Sequence, residues 1–408
     1  MKEGEKRQKI LSICFLIIIM SFLFGFLFNV KPIGKAILIG YKDYIKEDSN
    51  VMDYLKAEIT SIDSSINECV LGKYEIINLN GAFQKLLGKQ VINDADTTKT
   101  VIKLNNGQLT FIYPKTDTKS FSESIIKLDS YLKKRGSSIL YIQAPFKVSE
   151  NDNELPTGIE DYTNYNADKF LNDLKENDVN YLDLRKEIEK DGLDHYSLFF
   201  KTDHHWLPET GFWAFTKIAK ILKENYGFEY DEKYTNIDNY DKEVYKNELL
   251  GSKGKRVGTI YSGGLENMSL IYPRFETNLT YSAPTENIER KGDFYKVIFE
   301  KEHLGKNKYL DTPYCVYMGY DRPLEIIKNY NNKNNKKILV IKDSFARVTV
   351  PFLSLICDEV DSIDLRNFDN SKLIDYIDKS NPDLVLFIYN ADIYRSDMKE
   401  MFDFRLDK

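Results

Sequence analysis

The chain has 408 residues, 42% hydrophobic and 29% charged, which is long and apolar enough for at least one sizeable core and excludes a mainly disordered chain. A net charge of -6 argues against a broad nucleic-acid-binding surface, so no nucleic-acid partner is expected. Cys14, Cys69, Cys315 and Cys357 make neither a CxxC metal pair nor a dense disulfide framework, and no HExxH, EF-hand, Walker A or dinucleotide pattern appears, so neither a metal nor a cofactor is expected.

Residues 1–9 read as a short cytoplasmic tail carrying Lys6, Arg7 and Lys9. The apolar run Ile10 to Phe28, broken only by Ser12, Ser21 and Gly25, has the length of a helix that crosses roughly 30 Å of hydrocarbon. No small-x-small cleavage site follows Phe28, so a single-pass signal-anchor at 10–28 is expected, with the rest of the chain on the extracellular side of a bacterial cell membrane. Three of the cysteines would then be exported, an odd number that leaves at least one free within a chain.

Residues 29–130 read as a membrane-proximal region. It holds a helix over Lys35 to Ile66, a strand at Lys73 to Leu79, a hairpin over Thr98 to Phe111 turning at Asn105-Asn106-Gly107, and a helix over Phe121 to Lys134. Residues 131–408 follow an α/β rhythm: strand Ser138 to Gln143, helix Ala167 to Glu176, strand Asn180 to Leu184, then a helix from Pro208 with Phe212, Phe215, Ala219 and Leu222 three or four apart. Residues 230–330 are rich in Tyr, Asn and Gly and read as an insertion or lid, with strands at Tyr295 to Phe299 and Tyr314 to Met318. Strands at Lys336 to Ile341, Ser362 to Leu365 and Leu384 to Tyr389, with a helix from Ser371, complete the pattern. It predicts a mostly parallel sheet with helices on both faces, whose sites collect at the carboxyl ends of strands.

Two stretches carry groups suited to chemistry. In Lys201-Thr202-Asp203-His204-His205-Trp206, a loop before the Pro208 helix lets Asp203 accept from one nitrogen of His205 and leaves the other free as a base. The same residues also suit a capping aspartate with a structural histidine, or a metal held by His204 and His205. In Ile338 to Ala346, a hydrophobic strand delivers Ser344 before a helical turn, where the hydroxyl is exposed and nearby N–H groups could hold an oxyanion; Asp343-Ser344 also suits an N-cap. An Asp-x-His loop and a strand-end serine in one α/β domain are the three groups of acyl transfer.

The run Thr202-Asp203-His204-His205-Trp206, Gly211 after it and Lys342-Asp343-Ser344-Phe345 downstream resemble the DHHW protein family. They are also similar to the wider SGNH-hydrolase-like group that includes the alginate O-acetyltransferases of the bacterial envelope. There the Asp-x-His pair precedes the serine, and Gly-Asp-Ser is usual where this chain has Lys342-Asp343-Ser344. The resemblance spans Ser138 to Asn225, Gly251 to Arg256, Tyr272 to Phe275 and Lys336 to Tyr389. It implies a permuted, three-layer SGNH-hydrolase-like catalytic domain over 131–408, with the insertion at about 230–330 and the transmembrane helix ahead of it.

Ser344 would be the nucleophile, His205 the general base and Asp203 its orienter. The implied activity is extracytoplasmic O-acetyl transfer to a cell-surface or secreted polysaccharide through an acyl-serine, with a membrane-bound O-acyltransferase supplying the acyl group. A carbohydrate O-acetyl esterase and a non-catalytic polysaccharide-binding protein are the alternatives. The Phe345 backbone and Asn390 are candidate oxyanion donors, Lys147 and Arg347 candidate groups lining the cleft, Lys255, Arg256 and Arg274 candidates for an anionic glycan, and Trp206, Tyr261 and Tyr272 candidates for stacking on sugar rings.

Overall fold

The computed structural model describes residues 2–28, 59, 72–93, 100–152, 154–305 and 307–406. The chain divides into two units, Met1–Asn80 and Gly81–Lys408. The first contains the helix Lys2–Phe28. Among the described residues no helix is long and apolar enough to cross a membrane, which overturns the expected single-pass anchor and the localisation built on it. The helix expected over Lys35 to Ile66 lies outside the described residues apart from Ile59, and Cys69 lies outside them too. Cys315 and Cys357 are buried free thiols, and Cys14 is free and exposed.

In the second unit a small antiparallel sheet comes first: β1 (Val91–Ile92), β2 (Val101–Lys103) and β3 (Leu109–Thr110). The turn between β2 and β3 contains Gly107 at φ 86°, which glycine adopts without steric cost. Then follow β4 (Ile139–Ala144), β5 (Asn180–Asp183), β6 (Tyr240–Leu249), β7 (Glu266–Pro273), β8 (Leu279–Ala283), β9 (Ile288–Gly292), β10 (Leu324–Asn329), β11 (Lys337–Lys342), β12 (Glu359–Ile363) and β13 (Leu384–Asn390). Eight of these form one sheet in the order β5-β4-β13-β11-β12-β10-β8-β9. The five from β5 to β12 run parallel, whereas β10, β8 and β9 extend the sheet antiparallel, and β6 pairs with β7 in a separate ribbon.

The central strands are near-continuous apolar runs because both of their faces are covered. On one face Tyr141, Leu339, Ile341, Val385 and Phe387 pack with Ile125 and Leu128 of the helix Lys119–Lys133 and Phe170 and Leu174 of the helix Thr163–Glu176. On the other, their alternates Leu140, Ile142, Ile338, Val340, Leu384 and Leu386 pack with Phe212, Phe215, Ile218 and Leu222 of the helix Pro208–Tyr226. Burying each such side chain contributes roughly 1.5–3 kcal/mol. The result is the expected three-layer α/β architecture, with the parallel strands all presenting their carboxyl ends to one edge.

The region expected as an insertion supplies β6 to β10 and the helix Ser252–Ser262. Three local expectations change. Residues 73–79 are helical, within Lys73–Leu86: over the longer window Ile76, Leu79, Phe83 and Leu86 recur three or four apart. Gly81 in that helix lies so close to Val257 that a Cβ would fall 2.0 Å from its carbonyl oxygen. Residues 294–298 form a helix because Asp293 caps it, its side chain accepting from Lys296 N at 2.8 Å. Pro313–Val316 is a 3-10 turn begun by its proline. A five-residue apolar run does not by itself separate strand from helix; the caps decide.

Candidate active site

β11 and β13 bring their carboxyl ends side by side, and Asp343 joins them: Oδ1 accepts from Phe345 N at 2.8 Å and Oδ2 from Asn390 N at 2.7 Å. Burial pushes this carboxyl up to about 7 against the two N–H bonds that lower it. The preceding Lys342 is buried and reaches sideways to Glu325 of β10, 3.4 Å away, with Asp321 at 4.0 Å. A lysine is accommodated at this position because the inserted β10 brings a carboxylate to it. Ser344 then opens the 3-10 turn Ser344–Arg347.

The facing loop is closed by a bridge between Phe199 and Trp206, with Phe200 N donating to His205 O at 3.2 Å. Trp206 is wholly buried, and its indole N–H donates to Phe345 O at 3.0 Å, tying this loop to the Ser344 turn. Gly211 permits the approach, since a Cβ there would stand 2.7 Å from Val348. Across this junction Ser344 Oγ lies 2.8 Å from His205 Nε2, and His205 Nδ1 lies 2.7 Å from Asp203 Oδ1. Tyr314 stacks on the His205 ring at 4.0 Å and 16°, and its hydroxyl donates to Phe345 O at 3.3 Å.

Asp203 is held from the insertion. At the start of the helix Ser252–Ser262, Ser252 N donates to Asp203 Oδ2 at 2.6 Å, while Gly251 N reaches Thr202 Oγ1 at 2.8 Å and Lys253 N and Gly254 N reach Thr202 O at 3.1 and 3.0 Å. A Cβ at Gly251 would meet Asp203 Cβ and the Thr202 carbonyl at 2.4 Å, so only glycine fits. Burial alone would raise the Asp203 carboxyl, but His204 and His205, which also bond to it, hold it well below the usual carboxylate range. Burial lowers His205, only partly countered by Asp203, and pushes His204 down to about 3. Both imidazoles are therefore neutral near pH 7, and the Asp203 bond makes Nδ1 the protonated nitrogen of His205, leaving Nε2 as the acceptor facing Ser344. Asp203, His204 and His205 also place ligand-type atoms within 4.8 Å of one another, with the two Nδ1 atoms at hydrogen-bond distance, 3.0 and 2.7 Å, from one carboxylate oxygen.

The structure places the other candidates as follows. Phe345 N is engaged by Asp343, and Asn390 Nδ2 gives one of its two N–H groups to Pro145 O at 2.7 Å; Ser344 N has no acceptor among the described residues. Lys147 is buried among backbone carbonyls instead of standing at the rim. Burial brings it down to about 7, partly opposed by Glu266. Arg347 is buried too, paired with Asp321 and donating to Cys315 Sγ at 2.6 Å. Lys255 donates to Asp311 O at 2.6 Å, Arg256 lies over Phe111 at 5.6 Å, and Arg274 bonds Asp238 O beyond the end of β7. Tyr261 is buried with its hydroxyl on Lys89 O at 2.6 Å, and Tyr272 packs edge-on against Tyr295 at 4.8 Å. Tyr314, Ser252 and Glu266 were not singled out; only the glycine-framed Gly251 to Gly254 stretch carried a signal.

Residues 113–247 match the family model described as SGNH hydrolase-like domain, acetyltransferase AlgX. Among solved structures, PatB1 of Bacillus cereus with a sulfonyl adduct is 22% identical, the match covering 75% of this chain and 99% of that one, with TM-score 0.62. A DHHW family protein from Eubacterium siraeum is 18% identical over 77% of this chain and 98% of that one, with TM-score 0.56. No curated protein matches the chain. Residues 113–247 are thus similar to an SGNH hydrolase-like domain. More narrowly, the fold is the one shared with PatB1 and with the DHHW family protein, and the family model that matches is described as an acetyltransferase.

Two measurements follow. Gly251→Ala is expected to break the Ser252 bond to the Asp203 carboxylate and to cost about 1.5–3 kcal/mol in urea unfolding, as for a bond to a charged group; an unchanged midpoint would contradict this packing. In an NMR titration, His205 is expected to titrate below its ordinary 6.5, in the direction burial sets; a midpoint above 6.5 would refute that environment.

Proposed function

We propose that this protein is a serine-dependent O-acyltransferase, acetyl being the expected acyl group and a polysaccharide hydroxyl the acceptor. The carrying observation is the hydrogen-bonded series Ser344 Oγ, His205 Nε2, His205 Nδ1 and Asp203 Oδ1, at 2.8 and 2.7 Å, at the carboxyl edge of a parallel sheet. The match to a family described as an acetyltransferase supports the choice of acyl group.

As the Ser344 oxygen attacks the donor carbonyl, its proton passes to His205 Nε2, and Asp203 stabilises the imidazolium that forms. The tetrahedral oxyanion is assigned to the Ser344 N–H. Collapse breaks the bond to the leaving group, which takes the proton from His205, and an acyl-serine remains. A sugar hydroxyl then gives its proton to His205 and attacks the ester, and collapse returns that proton to Ser344. Water in place of the sugar would make the same site an esterase. Its exclusion by a bound glycan is what separates the two reactions.

The test is time-resolved intact mass spectrometry with p-nitrophenyl acetate, with and without an oligosaccharide acceptor. An acetyl adduct on the wild type that moves to the sugar is expected, with turnover falling by roughly 10³-fold or more in Ser344→Ala. Acetyl released only to water would make the protein an esterase, and full turnover by Ser344→Ala would end the assignment of the nucleophile.

A further inference from the structure

The turn that carries Asp203 and His205 is gripped by two charged side chains from outside it. Lys147 follows β4, is wholly buried, and its three N–H groups are shared among four carbonyls, Leu109 O at 3.0 Å, Lys201 O at 3.3 Å, Phe200 O and Asp203 O. Glu266, at the start of β7, accepts from Lys201 N at 2.6 Å, Thr202 N at 2.8 Å and Thr202 Oγ1 at 2.5 Å. An ammonium only donates and a carboxylate only accepts, so the two take complementary halves of the polar groups of one short backbone stretch. A buried ammonium is costly where an apolar side chain would serve, but these carbonyls converge on a wholly buried position, where a polar group needs a partner. Thr202 adds the third hold, since its oxygens also receive the Gly251, Lys253 and Gly254 N–H groups.

We propose that Lys147 and Glu266 are positioning residues that fix the turn 200–203 in the conformation aiming Asp203 at His205 and His205 at Ser344. The inference rests on the reading of Ser344 as the nucleophile, and extends it to two residues, one after β4 and one at the start of β7, that hold the base without touching the reacting atoms. The fixed turn explains how a loop delivers a 2.8 Å contact to a serine on another element.

The experiment uses the full chain as wild type, Glu266→Gln and Lys147→Met, with thermal melts to confirm folding and all assays run below the lowest Tm. Phenylmethanesulfonyl fluoride reports on Ser344 by mass, and the downfield proton NMR signal of His205 Nδ1–H reports on its bond to Asp203 without reference to activity. Both variants are expected to lose roughly 10- to 100-fold in the maximal labelling rate, with little change in the reagent concentration giving half of it, the range a displacement of about 1 Å produces. The His205 proton is expected to broaden or disappear in each. Should Lys147→Met fail to fold, Glu266→Gln decides. A folded Glu266→Gln that labels within about twofold of wild type and keeps the His205 proton overturns the proposal. Absence of Ser344-dependent labelling in the wild type would refute the nucleophile instead, and the NMR signal would then decide the positioning role: loss supports it and persistence overturns it.

Discussion

A buried carboxylate is stable only with donors on several sides, and Asp203 obtains them from two distant parts of the chain. His205 contributes its Nδ1 and backbone N–H from the same loop, with His204 Nδ1 3.0 Å away, and Ser252 an N–H from the helix Ser252–Ser262 within the insertion. Once those donors are in place, the His205 ring has one orientation, with Nε2 towards Ser344. The dependence runs outward too. The helix can begin there because Gly251 and Gly254 lack side chains that would strike Thr202 and Asp203.

The second constraint is registration between the two loops. Asp343 joins the ends of β11 and β13, while Trp206 and Tyr314 both donate to Phe345 O. A single backbone carbonyl thereby collects the loop bearing the histidine and the turn bearing the serine. Arg347 and Lys342, whose charges would be a burden in this interior, are compensated by Asp321 and Glu325 on the insertion side. Removing one partner of such a buried pair would leave the other charge uncompensated, which is costly in an interior.

Much of this was legible in the amino-acid sequence. β4, β11 and β13 are continuous apolar runs because they lie at the centre of a parallel sheet, and residues of those types in that order are hard to read otherwise. Asp203, His205 and Ser344 stood out by residue type and by their place before helical turns. Pairing of charged and polar groups was not legible, because it is long-range: Lys147 meets carbonyls 53 and 56 residues away, and nothing in its neighbours announces them. Phe345 and Asn390 were expected as donors because their positions suit it, but that Phe345 N would meet the preceding aspartate and Asn390 Nδ2 the Pro145 carbonyl was not legible. The three antiparallel strands β8 to β10 escaped notice because short polar strands carry little periodicity, and Tyr314 was lost within a segment read as a strand. The apolar run near the amino end had the composition of a membrane anchor, yet the described helix does not meet the length and apolarity of one.

The insertion is therefore part of the site's framework. It contributes the Ser252 N–H, Glu266 and Glu325, and three strands to the edge of the sheet. In an evolutionary sense this ties the two segments together: drift in the Asp203 loop is permitted only where Gly251 to Gly254 and β7 change with it. For protein engineering the same coupling rules out the obvious shortcut of grafting a relative's 230–330 segment to alter what the cleft accepts. Such a chimaera would exchange the supports of Asp203, so recombination would have to carry residues 200–206 and 251–266 as one block.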